Sequence, residues 1–67
     1  MSEDERFWSV EAARVNAGLT QADASERLGI TGNKLANYEN GRTPVPLYIA
    51  WKMKDVYRLR SITQLKP

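Results

Sequence analysis

An all-α fold, a compact bundle of about five short helices, is what this sequence predicts. Three observations carry that reading. Helix breakers cut the chain into pieces of helical length: Gly18, Gly29 and Gly41, then Pro44 and Pro46. Inside the pieces apolar residues recur three and four apart, and few stretches alternate with period two. Residues suited to capping a helix start stand ahead of several pieces. At 67 residues the chain is read as a single domain over 1–67. A domain this small buries only about 60% of its unfolded surface, so its stability is marginal.

The first helix is expected to start near Ser2. Ser2 and Glu5 have the form of a capping box, and the acidic run Glu3-Asp4-Glu5 suits the positive end of a helix dipole. Phe7, Val10, Ala13 or Arg14, and Ala17 then fall on one face, and Gly18 stops the helix. Thr20 caps the second helix, with Asp23 as its box partner. Ala24 and Leu28 face inward and Gly29 ends it. Thr31 caps the third, which runs from Gly32 to about Glu39 with Leu35 and Tyr38 inside. Gly41 closes it.

Val45 precedes a proline and is expected to be extended. Pro46 opens the fourth helix, where a missing N–H does no harm. Its candidate inner stripe is Leu47, Ala50, Trp51, the Lys54 stem and Tyr57, with Met53 and Val56 beside it. Ser61 and Gln64 match a second capping box and predict a short fifth helix packed through Ile62 and Leu65.

Composition removes several function classes. There is no histidine and no cysteine. Disulfides, thiolate nucleophiles, imidazole bases and the usual zinc ligand sets are therefore excluded. With no Gly-rich phosphate loop and little volume for a cleft, an enzyme is not expected, nor a cofactor, metal or small-molecule ligand. No apolar run approaches the roughly 20 residues of a membrane span. The acidic start does not read as a signal peptide, so a cytoplasmic protein away from membranes is expected.

The net charge is only +2, but it is unevenly distributed. Residues 1–26 carry two basic side chains (Arg6, Arg14) against six acidic ones, a net of −4. Residues 27–67 carry eight basic (Arg27, Lys34, Arg42, Lys52, Lys54, Arg58, Arg60, Lys66) against Glu39 and Asp55, a net of +6. One basic face is what a phosphate backbone requires, although a mixed solubilising surface reads the same way.

The informative stretch runs from Leu19 to Gly41, two short helices joined by a turn centred on Gly29-Ile30. A tight turn holds the second helix at a fixed angle, so that it can enter a DNA major groove while the first rests across the backbone. Leu19-Thr20-Gln21, Arg27-Leu28-Gly29-Ile30-Thr31, Leu35 and Tyr38-Glu39-Asn40-Gly41 resemble the pattern of the Cro/cI-type (Xre) helix-turn-helix family. The likeness extends from Val10 to about Leu65. It implies a lambda-repressor-like DNA-binding fold. It also implies a bacterial or phage transcriptional regulator, most simply a repressor, acting as a homodimer on a two-fold operator in double-stranded DNA.

The resemblance also implies roles residue by residue. Gly32, Asn33, Ala36 and Asn37 would face base edges. Gln21, Thr31, Lys34, Arg42 and Thr43 would meet phosphates. Arg14 and Glu39 would form a partly buried structural ion pair. Each role has a plainer competitor. Gln21 sits in an exposed first turn whatever it touches. Asn33 and Asn37 share one face at i and i+4, and ordinary solvent exposure competes there with bidentate pairing to adenine. Gly32 reads nothing itself but permits close backbone approach.

Ala13 and Ala24 stand where the family usually has larger aliphatic residues, and Trp51 or Phe7 is expected to fill the missing volume. Ser25 replaces a usual alanine, and its hydroxyl is expected to bond a carbonyl in the preceding turn. Arg58 stands where a C-terminal glycine is common, so the fourth helix is expected to end differently. Dimer contacts are sought around Tyr57, Leu59 and Ile62. The alternative function is an antitoxin or protein-binding adaptor on the same fold, anchored by Trp8 or Tyr48.

Overall fold

A computed structural model describes residues 9–60. Four helices follow one another in that span: α1 (Val10–Asn16), α2 (Gln21–Leu28), α3 (Gly32–Glu39) and α4 (Leu47–Val56). No strand occurs among the described residues. The expected fifth helix, with Ile62 and Leu65, lies outside them. So do Ser2, Glu5, Phe7 and Trp8.

The start of α1 departs from expectation. Ser9 is extended (ψ 159°) and its hydroxyl accepts the Ala12 N–H at 3.0 Å, so the helix begins at Val10. A serine able to cap locally wins over continuing an apolar face N-terminal to it. The other starts follow the sequence. Thr20 and Asp23 form a reciprocal capping box at α2. Thr31 accepts the Lys34 N–H at 3.1 Å at α3. Pro46 opens α4 with no side-chain cap.

All four helices end in the same way. One residue turns left-handed, its N–H reaches back three residues, and the next N–H reaches back five. Gly18 and Leu19 bond Val15 and Arg14, and Gly29 and Ile30 bond Glu26 and Ser25. Gly41 and Arg42 bond Tyr38 and Asn37, and Arg58 and Leu59 bond Asp55 and Lys54. The first three left-handed positions are glycines. The fourth is Arg58, at φ 57°. Helix four thus ends as the others do, although an L side chain is strained there, and the expectation of a different ending is corrected.

Among the described residues the core consists of Val10 and Ala13 from α1, Ala24 and Leu28 from α2, Leu35 and Tyr38 from α3, and Ile49, Met53 and Tyr57 from α4 and its end. Fully burying an aliphatic or aromatic side chain contributes about 1.5–3 kcal/mol. α2 packs against α3 and α4, and α1 against α3. Ile30, in the turn between α2 and α3, lies half-buried against this core and pins the turn.

The buried stripe of α4 corrects the expected one. Ile49, Met53 and Tyr57 are buried at i, i+4 and i+8, with Val56 half-buried beside them. Leu47 and Trp51 point outward at 65% and 52% exposure. Trp51 therefore does not fill the space beside Ala13 and Ala24. Tyr57 is the largest fully buried side chain among the described residues and stands in that core cluster. Ser25 behaves as expected, donating its hydroxyl to the Ala22 carbonyl at 3.1 Å.

Candidate nucleic-acid interface

α2 and α3 are joined by three residues, Gly29, Ile30 and Thr31. Gly29 takes φ 73°, which lets the chain reverse within that length. A Cβ at Gly29 would meet only the Lys52 ammonium, 4.0 Å away, so backbone conformation rather than space selects glycine. Lys52 donates to the Leu28 carbonyl at 3.4 Å, placing a cation at the negative end of α2. The sequence reading missed this contact, because a link across 24 residues leaves no local signal.

α3 has one buried edge, Leu35 and Tyr38. Helical geometry puts Asn33 and Asn37 on the opposite side. Gly32, Asn33 and Lys34 are exposed. Ala36 and Asn37, expected to face base edges, are half-buried. The Arg42 and Thr43 N–H groups donate to the Asn37 carbonyl at 3.0 and 3.3 Å, so the loop after α3 folds back towards that residue. Asn40 Oδ1 also accepts the Arg42 N–H at 3.1 Å, which fixes the loop backbone and leaves the Arg42 side chain in solvent. Thr43 is half-buried, and Thr31 is exposed with its hydroxyl engaged as the α3 cap.

A partly buried polar knot joins α1, α2 and α3. Arg14 Nε meets Glu39 Oε2 at 2.7 Å, and Arg14 Nη2 meets Glu39 Oε1 at 3.4 Å. Arg14 Nη1 donates to the Leu19 carbonyl at 2.8 Å. Gln21 Nε2 donates to Glu39 Oε1 at 2.9 Å. The side chains of Arg14 and Glu39 are only 11% and 4% exposed. The hydrogen bond to Glu39 holds the Arg14 guanidinium above its ordinary pKa. Gln21, exposed at the start of α2, thus ties that end of α2 to the far end of α3. The angle between the two helices is set by this knot at one end and by the Gly29 turn at the other.

Tyr57 lies close to the same knot. Burial, with a smaller contribution from the Glu39 charge, pushes its phenol up to about 12. Its hydroxyl has no hydrogen-bond partner among the described residues. At the front of α2, hydrogen bonds with Thr20 hold the Asp23 carboxyl below the usual carboxylate range.

Two short helices locked around a three-residue turn, with a polar face on the second, match a family model described as a helix-turn-helix domain over residues 9–64. The chain belongs to the helix-turn-helix family. DNA binding is the activity that membership indicates. No curated protein and no solved structure matches the chain. Within this helix-turn-helix domain the exposed Asn33 and Lys34, the half-buried Asn37 and the exposed Arg42 stand on one continuous stretch from α3 into its loop. Among the described residues no helix is long and apolar enough to cross a membrane. Of the residues where dimer contacts were sought, Tyr57 is buried in the core at 1% exposure, Leu59 is half-buried against it, and Ile62 lies outside the described residues.

Proposed function

We propose that this helix-turn-helix protein is a sequence-specific transcriptional regulator of the Cro/cI type. It inserts α3 into the major groove of double-stranded DNA and represses by occupying its operator. One observation carries this reading: α3 buries Leu35 and Tyr38 and turns Asn33, Lys34 and, in part, Asn37 away from the core, on a helix braced at both ends. A braced helix enters a groove without first losing conformational freedom, so more of its contact energy appears as affinity.

On this reading Asn33 and Asn37 pair with base edges, Gly32 and Ala36 allow the helix to approach closely, and Gln21, Thr31, Lys34, Arg42 and Thr43 meet phosphates. Gln21 keeps one amide hydrogen available while the other bonds Glu39. A single short helix reads only a few base pairs, so the protein acts as a homodimer on a two-fold site with half-sites about 34–36 Å apart.

Selection of preferred duplexes from a random pool tests the reading, followed by titration of variants against the selected and unrelated sites. Asn33→Ala and Asn37→Ala are each expected to cost about 1–3 kcal/mol and to relax one base position. Arg42→Ala is expected to weaken all duplexes alike and to reduce the slope of log affinity against log salt by about one. Equal losses on every sequence for all three variants remove the base-reading assignment, and no complex at low ionic strength removes the regulator. An adaptor that binds protein through aromatic anchors would instead show little salt dependence.

A further inference from the structure

Three of the four large apolar side chains left exposed among the described residues stand together on α4. They are Leu47 at 65%, Tyr48 at 62% and Trp51 at 52%. Leu47 and Trp51 are one turn apart, and Tyr48 and Trp51 are three apart, so they form one patch. The patch faces away from Ile49, Met53 and Tyr57, which hold α4 to the body. Its outer end is polar: the Lys54 ammonium lies 6.0 Å from the centre of the Trp51 ring and 4.0 Å from Asp55 Oδ1, in an exposed pair that a partner can exchange at little cost, and the Asp55 side chain is 84% exposed.

We infer that this face of α4, Leu47, Tyr48 and Trp51 with Lys54 and Asp55, is where a second copy of the chain docks, the two α4 helices running antiparallel about a two-fold axis. The inference deepens the proposed regulator by giving its dimer a surface. Complementarity selects a second copy as the occupant. An antiparallel pair lays the apolar first half of each helix on the charged second half of the other. Lys54 of each copy then approaches the aromatic rings of its partner, and each Tyr48 hydroxyl has a carboxylate acceptor in the partner's Asp55. The antiparallel arrangement also sets opposite ends of the two helix dipoles side by side.

An aromatic side chain offers about 150–250 Å², so at these exposures the three side chains present roughly 350 Å² per copy, or about 700 Å² per pair. A stable interface buries about 1,200–2,000 Å². The patch is smaller than a stable interface needs, so the free chain is expected to pair weakly and the dimer to be completed on DNA, where two adjacent half-sites raise the local concentration.

Sedimentation velocity of the full chain without DNA, from micromolar to millimolar concentration, tests this directly. The expected result is a dimer populated toward 1 mM that Trp51→Glu shifts at least tenfold toward monomer. Because Trp51 is half-exposed, that variant is expected to keep the wild-type circular dichroism spectrum and melting temperature. Asp55→Lys, which leaves the apolar patch intact, is expected to weaken the dimer by a smaller factor. A wild-type chain that stays monomeric at 1 mM, or a dimer unmoved by Trp51→Glu, overturns the inference. Affinity of Trp51→Glu for an isolated half-site is read separately. Its retention keeps the DNA-binding reading standing whatever the dimer does.

Discussion

Replacing Glu39 by glutamine removes one charge from the knot that joins the first three helices and changes little in shape. The Arg14 guanidinium is then left largely buried without its counter-ion, since only 11% of the Arg14 side chain reaches solvent. Breaking a buried ion pair by removing one partner costs about 3–5 kcal/mol. Two features put this case at the lower end. Arg14 keeps its 2.8 Å bond to the Leu19 carbonyl, and the new amide oxygen still accepts a neutral-acceptor hydrogen bond. The expected loss is therefore about 3 kcal/mol. At roughly 0.05–0.15 kcal/mol per residue, a 67-residue chain has only about 3–10 kcal/mol to lose. Urea unfolding followed by circular dichroism at pH 7 measures the change, and the melting temperature is expected to fall by about 12–24 °C. The double variant Arg14→Met with Glu39→Leu is expected to recover most of the loss, because no unpaired charge remains. A loss under about 1 kcal/mol for Glu39→Gln refutes the reasoning, since that is the worth of a solvated surface pair.

Tyr57→Phe removes a buried hydroxyl that has no partner among the described residues, so stability at pH 7 is expected to stay the same or rise by up to about 1 kcal/mol. The same variant tests alkaline unfolding. The folded phenol titrates near 12 and the unfolded one near 10, so its stabilisation is complete below pH 10 and is lost as pH rises from 10 to 12. Tyr57→Phe is expected to flatten that loss relative to wild type, and an unchanged slope counts against burial as its cause. Arg58→Gly relieves a left-handed residue that costs about 1–2 kcal/mol, offset in part by greater unfolded-state freedom, so chemical denaturation is expected to show a gain of about 0.5–1 kcal/mol. A destabilised Arg58→Gly means that the arginine side chain does more than tolerate the turn. In Thr20→Ala, NMR titration is expected to return Asp23 toward the ordinary carboxylate range. In the wild type its lowered value gives stabilisation present above the unfolded pKa and lost as pH falls through the folded one. Asp23 titrating alike in both proteins removes the Thr20 hydroxyl as the main cause and leaves the Thr20 N–H, which the variant keeps.

Helix ends were legible in the sequence wherever the controlling bond is local. Thr20, Thr31, Gly18, Gly29 and Gly41 each act within five residues, through a cap or a left-handed turn, and need no tertiary partner. Ser9 acts just as locally. Its signal competes in the sequence with the capping-box form of Ser2 and Glu5 and the helical spacing of Phe7 and Val10, which point to an earlier start. The polar face of α3 was legible too, because Leu35 and Tyr38 are its only large apolar residues and they fix which side turns inward.

α4 was not legible in that way. Leu47, Ile49, Trp51, Met53 and Val56 lie all around the helix, so no single face stands out as apolar, and spacing alone cannot orient it. Packing against α2 settled the matter by burying Ile49 and Met53 and leaving Trp51 in solvent. The knot of Arg14, Leu19, Gln21 and Glu39 divides the same way. Sequence resemblance paired Arg14 with Glu39, but the carbonyl of Leu19 and the amide of Gln21 join them only once the chain has folded. For α1, α2 and α3 the stops could be read directly, since a glycine and bonds that close within a single turn make them, whereas the left-handed Arg58 ends α4 in the same way without that signal. The tertiary structure alone decided how α4 is rotated and what surrounds the buried charges, because burial depends on neighbours that are distant along the chain.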